Sequence, residues 1–169
     1  ISTINDTTLA NFSSGARVYQ DDTLYNTAFG YEALYSNDAG YDNTAIGSSA
    51  LYNNTSGSFN TAIGSASLYY NSSGLNNTAV GYTSLYNNTT GIQNTAVGTS
   101  ALKSNTRGDE NVALGRRAGY SLSSGGDNAF IGTNACAEIT SANNFFCFGN
   151  SQGTIFTANT YSGHMVLGN

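Results

Sequence analysis

A glycine returns every 17 residues along this chain, at Gly30, Gly47, Gly64, Gly81, Gly98, Gly115, Gly132 and Gly149, with no insertion or deletion between them. The four residues before it run Asn26-Thr27-Ala28-Phe29, Asn43-Thr44-Ala45-Ile46, Asn60-Thr61-Ala62-Ile63, Asn77-Thr78-Ala79-Val80 and Asn94-Thr95-Ala96-Val97. The motif then decays through Asn111-Val112-Ala113-Leu114 and Asn128-Ala129-Phe130-Ile131 to Phe145-Phe146-Cys147-Phe148. A period this strict means one coil of a stacked array per repeat. A helical array would pair two periods into 34 residues. Two glycines per 17 residues, each costing a helix about 1 kcal/mol, leave no helix-forming run of useful length. The expectation is an all-β parallel solenoid, a β-roll of about eight 17-residue coils covering residues 26–149. An N-terminal arm or joining strand (1–25) precedes it, and a C-terminal strand or tail (150–169) for capping or joining follows.

Within one period, alternation along Thr-Ala-Ile-Gly predicts a short strand. Its fourth place is always bulky and apolar: Phe29, Ile46, Ile63, Val80, Val97, Leu114, Ile131 and Phe148. This column is expected to point inward as the core ladder. The small third place, Ala28 to Ala113, then falls on the opposite face, and an unbroken Ala column beside an unbroken Gly column marks a face packed closely against something. A second strand is expected at Ala33-Leu34-Tyr35 and its repeats, with Leu as the second core wall. Tyr35, Tyr52, Tyr69 and Tyr86 form a tyrosine ladder at the strand spacing of about 4.8 Å. Gly40, Gly57, Gly74, Gly91, Gly108 and Gly125 sit at a corner where positive φ is expected. The leading Asn column is expected to form an amide ladder. Proline is absent, as a continuous backbone ladder requires.

Charged residues make up 9% of the chain, against roughly 25% in ordinary soluble proteins, so amides and hydroxyls wet the surface. Twelve Tyr and eight Phe argue against disorder. A net charge of −5 disfavours nucleic acid. Lys103, Arg107, Arg116 and Arg117 lie near one another, with Asp109 and Glu110 between them to neutralise the patch. No run is long and apolar enough to cross a bilayer as a helix. Cys136 and Cys147 fall in adjacent repeats at places held elsewhere by small or apolar residues; a disulfide in an exported protein and a pair of buried thiols both fit. Neither a catalytic set around the single His164 nor a metal or cofactor site can be assembled from the spacing. Asp38, Asp42, Asp109 and Glu110 do not form a paired-carboxylate constellation. Eight sequons, at Asn5, Asn11, Asn53, Asn54, Asn71, Asn76, Asn87 and Asn88, are candidate glycan acceptors.

The Asn-Thr-Ala-Ile-Gly and Ala-Leu-Tyr-x-Asn-x-x-Gly columns resemble the head repeats of trimeric autotransporter adhesins of the YadA type. They resemble still more the longer repeats of bacterial and phage tail-fibre-like surface proteins. The resemblance covers residues 26–149 and implies a left-handed parallel β-roll with three chains side by side, displayed on a cell surface or virion, doing adhesive or structural work and no catalysis. The adhesin head repeat is shorter than 17 residues, and residues 1–169 are expected to hold no stalk, anchor or autoprocessing segment. The expected function is therefore a non-enzymatic structural or adhesive module of an extracellular fibre or filament, assembling through its ends and its small-residue faces. The expected partners are copies of itself, as a trimer or head-to-tail filament, and a host-surface protein or glycan. The competing reading is ice or carbohydrate binding, because Thr27, Thr44, Thr61, Thr78 and Thr95 form a regular column that can order water.

Overall fold

The computed structural model describes residues 7–11, 16–21, 24–150, 161–163 and 165–167. Among the described residues there are thirteen short strands, joined by turns, and no helix. An antiparallel pair, β1 (Thr7–Asn11) and β2 (Ala16–Asp21), leads into β3 (Asn26–Tyr31). One three-residue strand per coil follows: β4 (Thr44–Ile46), β5 (Thr61–Ile63), β6 (Thr78–Val80), β7 (Thr95–Val97), β8 (Val112–Leu114) and β9 (Ala129–Ile131). After β10 (Ala142–Asn143) come β11 (Phe146–Phe148), β12 (Tyr161–Ser162) and β13 (Met165–Leu167). The main sheet runs in the order β1 to β9, then β11 and β13. From β3 through β9 to β11 each residue pairs in parallel with the one 17 further on, Thr with Thr as far as β7 and Ala with Ala as far as β8. The chain is a β-solenoid. Its last step is two residues longer, because Phe146 pairs with Met165; this offset is why the C-terminal echo of the repeat falls out of register in the sequence.

The inside of the coil is the reverse of the size-based expectation. Ala28, Ala45, Ala62, Ala79, Ala96 and Ala113 are fully buried. The expected core ladder faces outward: Phe29, Ile46, Ile63, Val97 and Leu114 are exposed, and Val80, Ile131 and Phe148 are half-buried. The Ala column is therefore no seam for a second chain. The Leu column does enclose the core, with Leu51, Leu68, Leu85 and Leu102 buried, but its backbone is a turn and not a strand. Leu34, Leu51, Leu68, Leu85 and Leu102 all hold φ between 47° and 51°. Adjacent coils still bond there one to one, as in Leu51 N–H to Ser67 O at 3.0 Å and Leu68 N–H to Ser84 O at 3.0 Å. Stacking thus satisfies the backbone without strand dihedrals.

Polar ladders fill the remaining interior. Along the first, Asn77 Nδ2 donates to Asn60 Oδ1 (3.1 Å) and to Gly91 O (2.8 Å), and its own Oδ1 accepts from the backbone and side chain of Asn94 (3.0 and 3.1 Å). The second runs through Asn37, Asn54, Asn71, Asn88 and Asn105, each Nδ2 donating to the preceding Oδ1. Both ladders end in apolar residues toward the C-terminus, the first at Phe145 and the second at Leu122 and Ile139, all buried. The corner glycines from Gly40 to Gly108 are not at positive φ, as the sequence suggested; among them only Gly125 is. They are small because of crowding: a Cβ on Gly74 would lie 2.6 Å from Gly91 O.

One exchange in the core explains four irregular residues. The Leu column passes from Leu102 to Gly119 and then Cys136, while the Ala column passes from Ala113 to Phe130 and then Cys147. Cys136 and Cys147, 11 residues apart, are joined in a disulfide with Cα atoms 6.2 Å apart. The same offset pairs Gly119 with Phe130, and a Cβ on Gly119 would meet the Phe130 ring at 2.7 Å. Leu with Ala, Gly with Phe, and Cys with Cys are three fillings of one narrow space.

Candidate functional site

Two long features reach solvent. The first is the strand face. Because Ala points inward, the residues on either side of it point outward together: Thr44, Thr61, Thr78 and Thr95 half-buried, with Ile46, Ile63, Val80 and Val97 beside them. The parallel register stacks each row on itself coil after coil. At the ends the aliphatic row is more open, with Phe29 56% and Leu167 70% exposed. At its C-terminal end lies a cavity of about 450 Å³ lined by Asn144, Phe146, Gly163 and Met165. Neither row carries a charged side chain from β3 to β11, so nothing along it repels apolar contact.

The second feature is the tyrosine ladder. Tyr35, Tyr52, Tyr69 and Tyr86 stack with centroids 5.0–5.2 Å apart and planes within 2–17° of parallel. Lys103 takes the next place, where its ammonium lies 5.7 Å from the centroid of Tyr86 and 5.8 Å from that of Tyr120. Arg117 covers Tyr120 with its guanidinium carbon 4.5 Å from the centroid. Two members of the basic group thus act as cation–π partners. Burial pushes the Tyr86 phenol above its ordinary value, and the neighbouring Tyr70 phenol adds to the rise. Tyr52 is raised by burial and then by the charge of Glu32, and Tyr31 by its hydrogen bond to Glu32 and that same charge.

The described sequons separate by accessibility. Asn54, Asn71 and Asn88 are buried with their amides engaged in the second ladder, so the folded coil has no room for a glycan there. Asn76 is exposed and Asn53 and Asn87 half-buried. Asn5 lies outside the described residues, as does His164, and of Asn11 only the backbone in β1 is described. Among the described residues no three His, Cys, Asp or Glu side chains gather as a metal site. Asp109 instead accepts the backbone N–H of Ile92 at 2.8 Å.

Alternation inside Thr-Ala-Ile separates two faces without saying which is inside, and residue size points to the wrong one. The pointer to the opposite was present: Ala gives way to Phe130 in the one coil where Leu gives way to Gly119, as expected only if those columns face each other. No family model matches the chain, and neither the curated proteins nor the solved structures contain a match to it.

Proposed function

We propose that this chain is a non-enzymatic structural and adhesive module of an extracellular fibre or filament, whose copies assemble by packing their strand faces together. The observation that carries this reading is the uncharged apolar row, exposed or half-buried in every coil. A continuous apolar strip of this kind is a mark of an interaction surface. Oligomerisation also answers the thinness of a core built of Ala, Leu and amides. The disulfide supports an oxidising compartment outside the cytosol. The resemblance to trimeric adhesin heads favours three copies. Addition at the ends is supported by strand direction: β1 and β13, the outermost strands of the described sheet, run the same way, so a copy shifted along the axis would meet its neighbour as a parallel pair.

The test is the mass of the full chain in solution by light scattering across a concentration series, beside Ile63→Lys/Val97→Lys. A multiple of the chain mass for the parent and a single-chain mass for the variant, at similar melting temperature, is expected. A parent that stays monomeric at every concentration refutes it.

A second reading rests on the pairing of Thr and aliphatic rows on one face, which is broader than a single Thr line. Such a face can hold ordered water against ice. Thermal hysteresis in the parent that disappears in Thr61→Lys/Thr78→Lys would favour it over assembly.

A further inference from the structure

The tyrosine ladder itself is poorly built for stacking on a ligand, because its inner rings spend both faces on one another. One ring outside the ladder does not. In the column that follows the ladder, Ser36, Asn53, Asn87, Ser104 and Ser121 surround a single aromatic, Tyr70. Its centroid lies 4.6 Å from that of Tyr69 and 5.3 Å from that of Tyr86, with planes at 73° and 89° to theirs. The Tyr70 plane therefore runs along the rod, across the edges of two stacked rings, and the ring is 43% exposed. The edge contacts with Tyr69 and Tyr86 hold it in place.

Asn53 and Asn87 occupy the same column one coil to either side, about 4.8 Å away along the axis. They are half-buried, and no hydrogen bond within the described residues takes up their side-chain amides, in contrast to Asn54 and Asn88 beside them. An aromatic face flanked by two free amides, each with a donor and an acceptor, matches a pyranose ring: axial C–H groups lie on the aromatic face and equatorial hydroxyls reach the amides at the rim. The group has no carboxylate and no free guanidinium, which suits an uncharged sugar.

We propose that Tyr70, with Asn53 and Asn87, is a binding platform for a neutral hexopyranose oligosaccharide. The site occurs once per chain and breaks an otherwise repetitive surface. It gives the adhesive half of the proposed function a ligand class, and rests on that reading for the setting in which the sugar is met. A shallow platform binds weakly, with Kd on the order of 1 mM per site, and gains through several copies in one assembly.

Saturation-transfer NMR on the full chain, with cellotriose, maltotriose, mannotriose and triacetylchitotriose as probes, tests it. At least one probe is expected to bind the parent and Tyr70→Phe alike. Tyr70→Ser, which installs the residue that other coils carry, should weaken that probe about tenfold or more with an unchanged melting temperature. Absence of binding by all of these probes at tens of millimolar, or equal binding by Tyr70→Ser, overturns the inference. Light scattering on the same samples separates the two proposals: an assembled chain that binds no sugar loses only the platform, and a monomer that binds sugar loses only the assembly.

Discussion

In Phe130→Ala the ring that fills the space opposite Gly119 is removed from a fully buried position. Truncating a buried Phe costs about 3–5 kcal/mol through lost transfer free energy and the cavity left behind. In Gly119→Leu alone, the new Cβ lies 2.7 Å from Phe130 Cδ2 and 3.0 Å from Leu102 Cδ2, so overpacking costs about 1–3 kcal/mol. The backbone itself is permissive, since Gly119 has φ 58° and five leucines of the same column hold φ of 47–51°. Independent sites would make the double variant worse than either single one, by about 4–8 kcal/mol in total. Facing sites make it the ordinary Leu–Ala coil, within about 1.5 kcal/mol of the parent. The difference is a coupling of about 2.5 kcal/mol or more, at the upper end of what contacting residues show. Guanidinium unfolding of the four proteins, followed by circular dichroism with matched m-values, measures it. Additive losses in the double variant would refute the pairing of the two columns, and with it the account of why Phe130, Cys136 and Cys147 stand where they do.

Asn77→Ala leaves the buried backbone N–H of Asn94 without its acceptor and removes one of two partners from Asn60 Oδ1, Asn94 Nδ2 and Gly91 O; at about 1–3 kcal/mol for a buried polar group left unpaired, a loss of that size is expected in the same denaturation assay, and an unchanged stability would contradict the ladder. Alkaline titration should show part of the phenols ionising above the ordinary value. Because Tyr52 and Tyr86 are raised in the folded state, stability is unaffected below about pH 10 and falls as pH climbs from there through their folded values; a melting temperature that holds steady through this range would contradict it. Reduction of Cys136–Cys147 is expected to lower stability by about 2–4 kcal/mol, with faster amide exchange concentrated in the coils that contain Phe130 and Phe145 and little change around Thr61.

The period, the parallel stacking, the Asn and Tyr ladders and the Leu wall were all legible, because each is a column of one residue type, and stacking places identical residues on one another. The direction of the strand face was not. The rule that larger apolar residues turn inward holds for cores with room, and here one Leu and two amide ladders leave space opposite for a methyl group only. The conformation of the Leu segment was also hidden, since five left-handed leucines look like a strand by composition, while the bonds to neighbouring coils that hold them are visible only once the coils are stacked. Tyr70 was unremarkable beside Tyr69 in the sequence. Its perpendicular setting follows from a ladder that has no place for a second ring, and is seen only in three dimensions.

The contact face of the assembly is tested most directly by electron microscopy of the full chain in its associated form, averaged until the cross-section resolves individual coils. The account predicts copies whose Thr and aliphatic rows turn toward one another at the centre, with the tyrosine ladders outside. Single separated rods, or a cross-section with the tyrosine ladders at the centre and the aliphatic rows facing solvent, would contradict it.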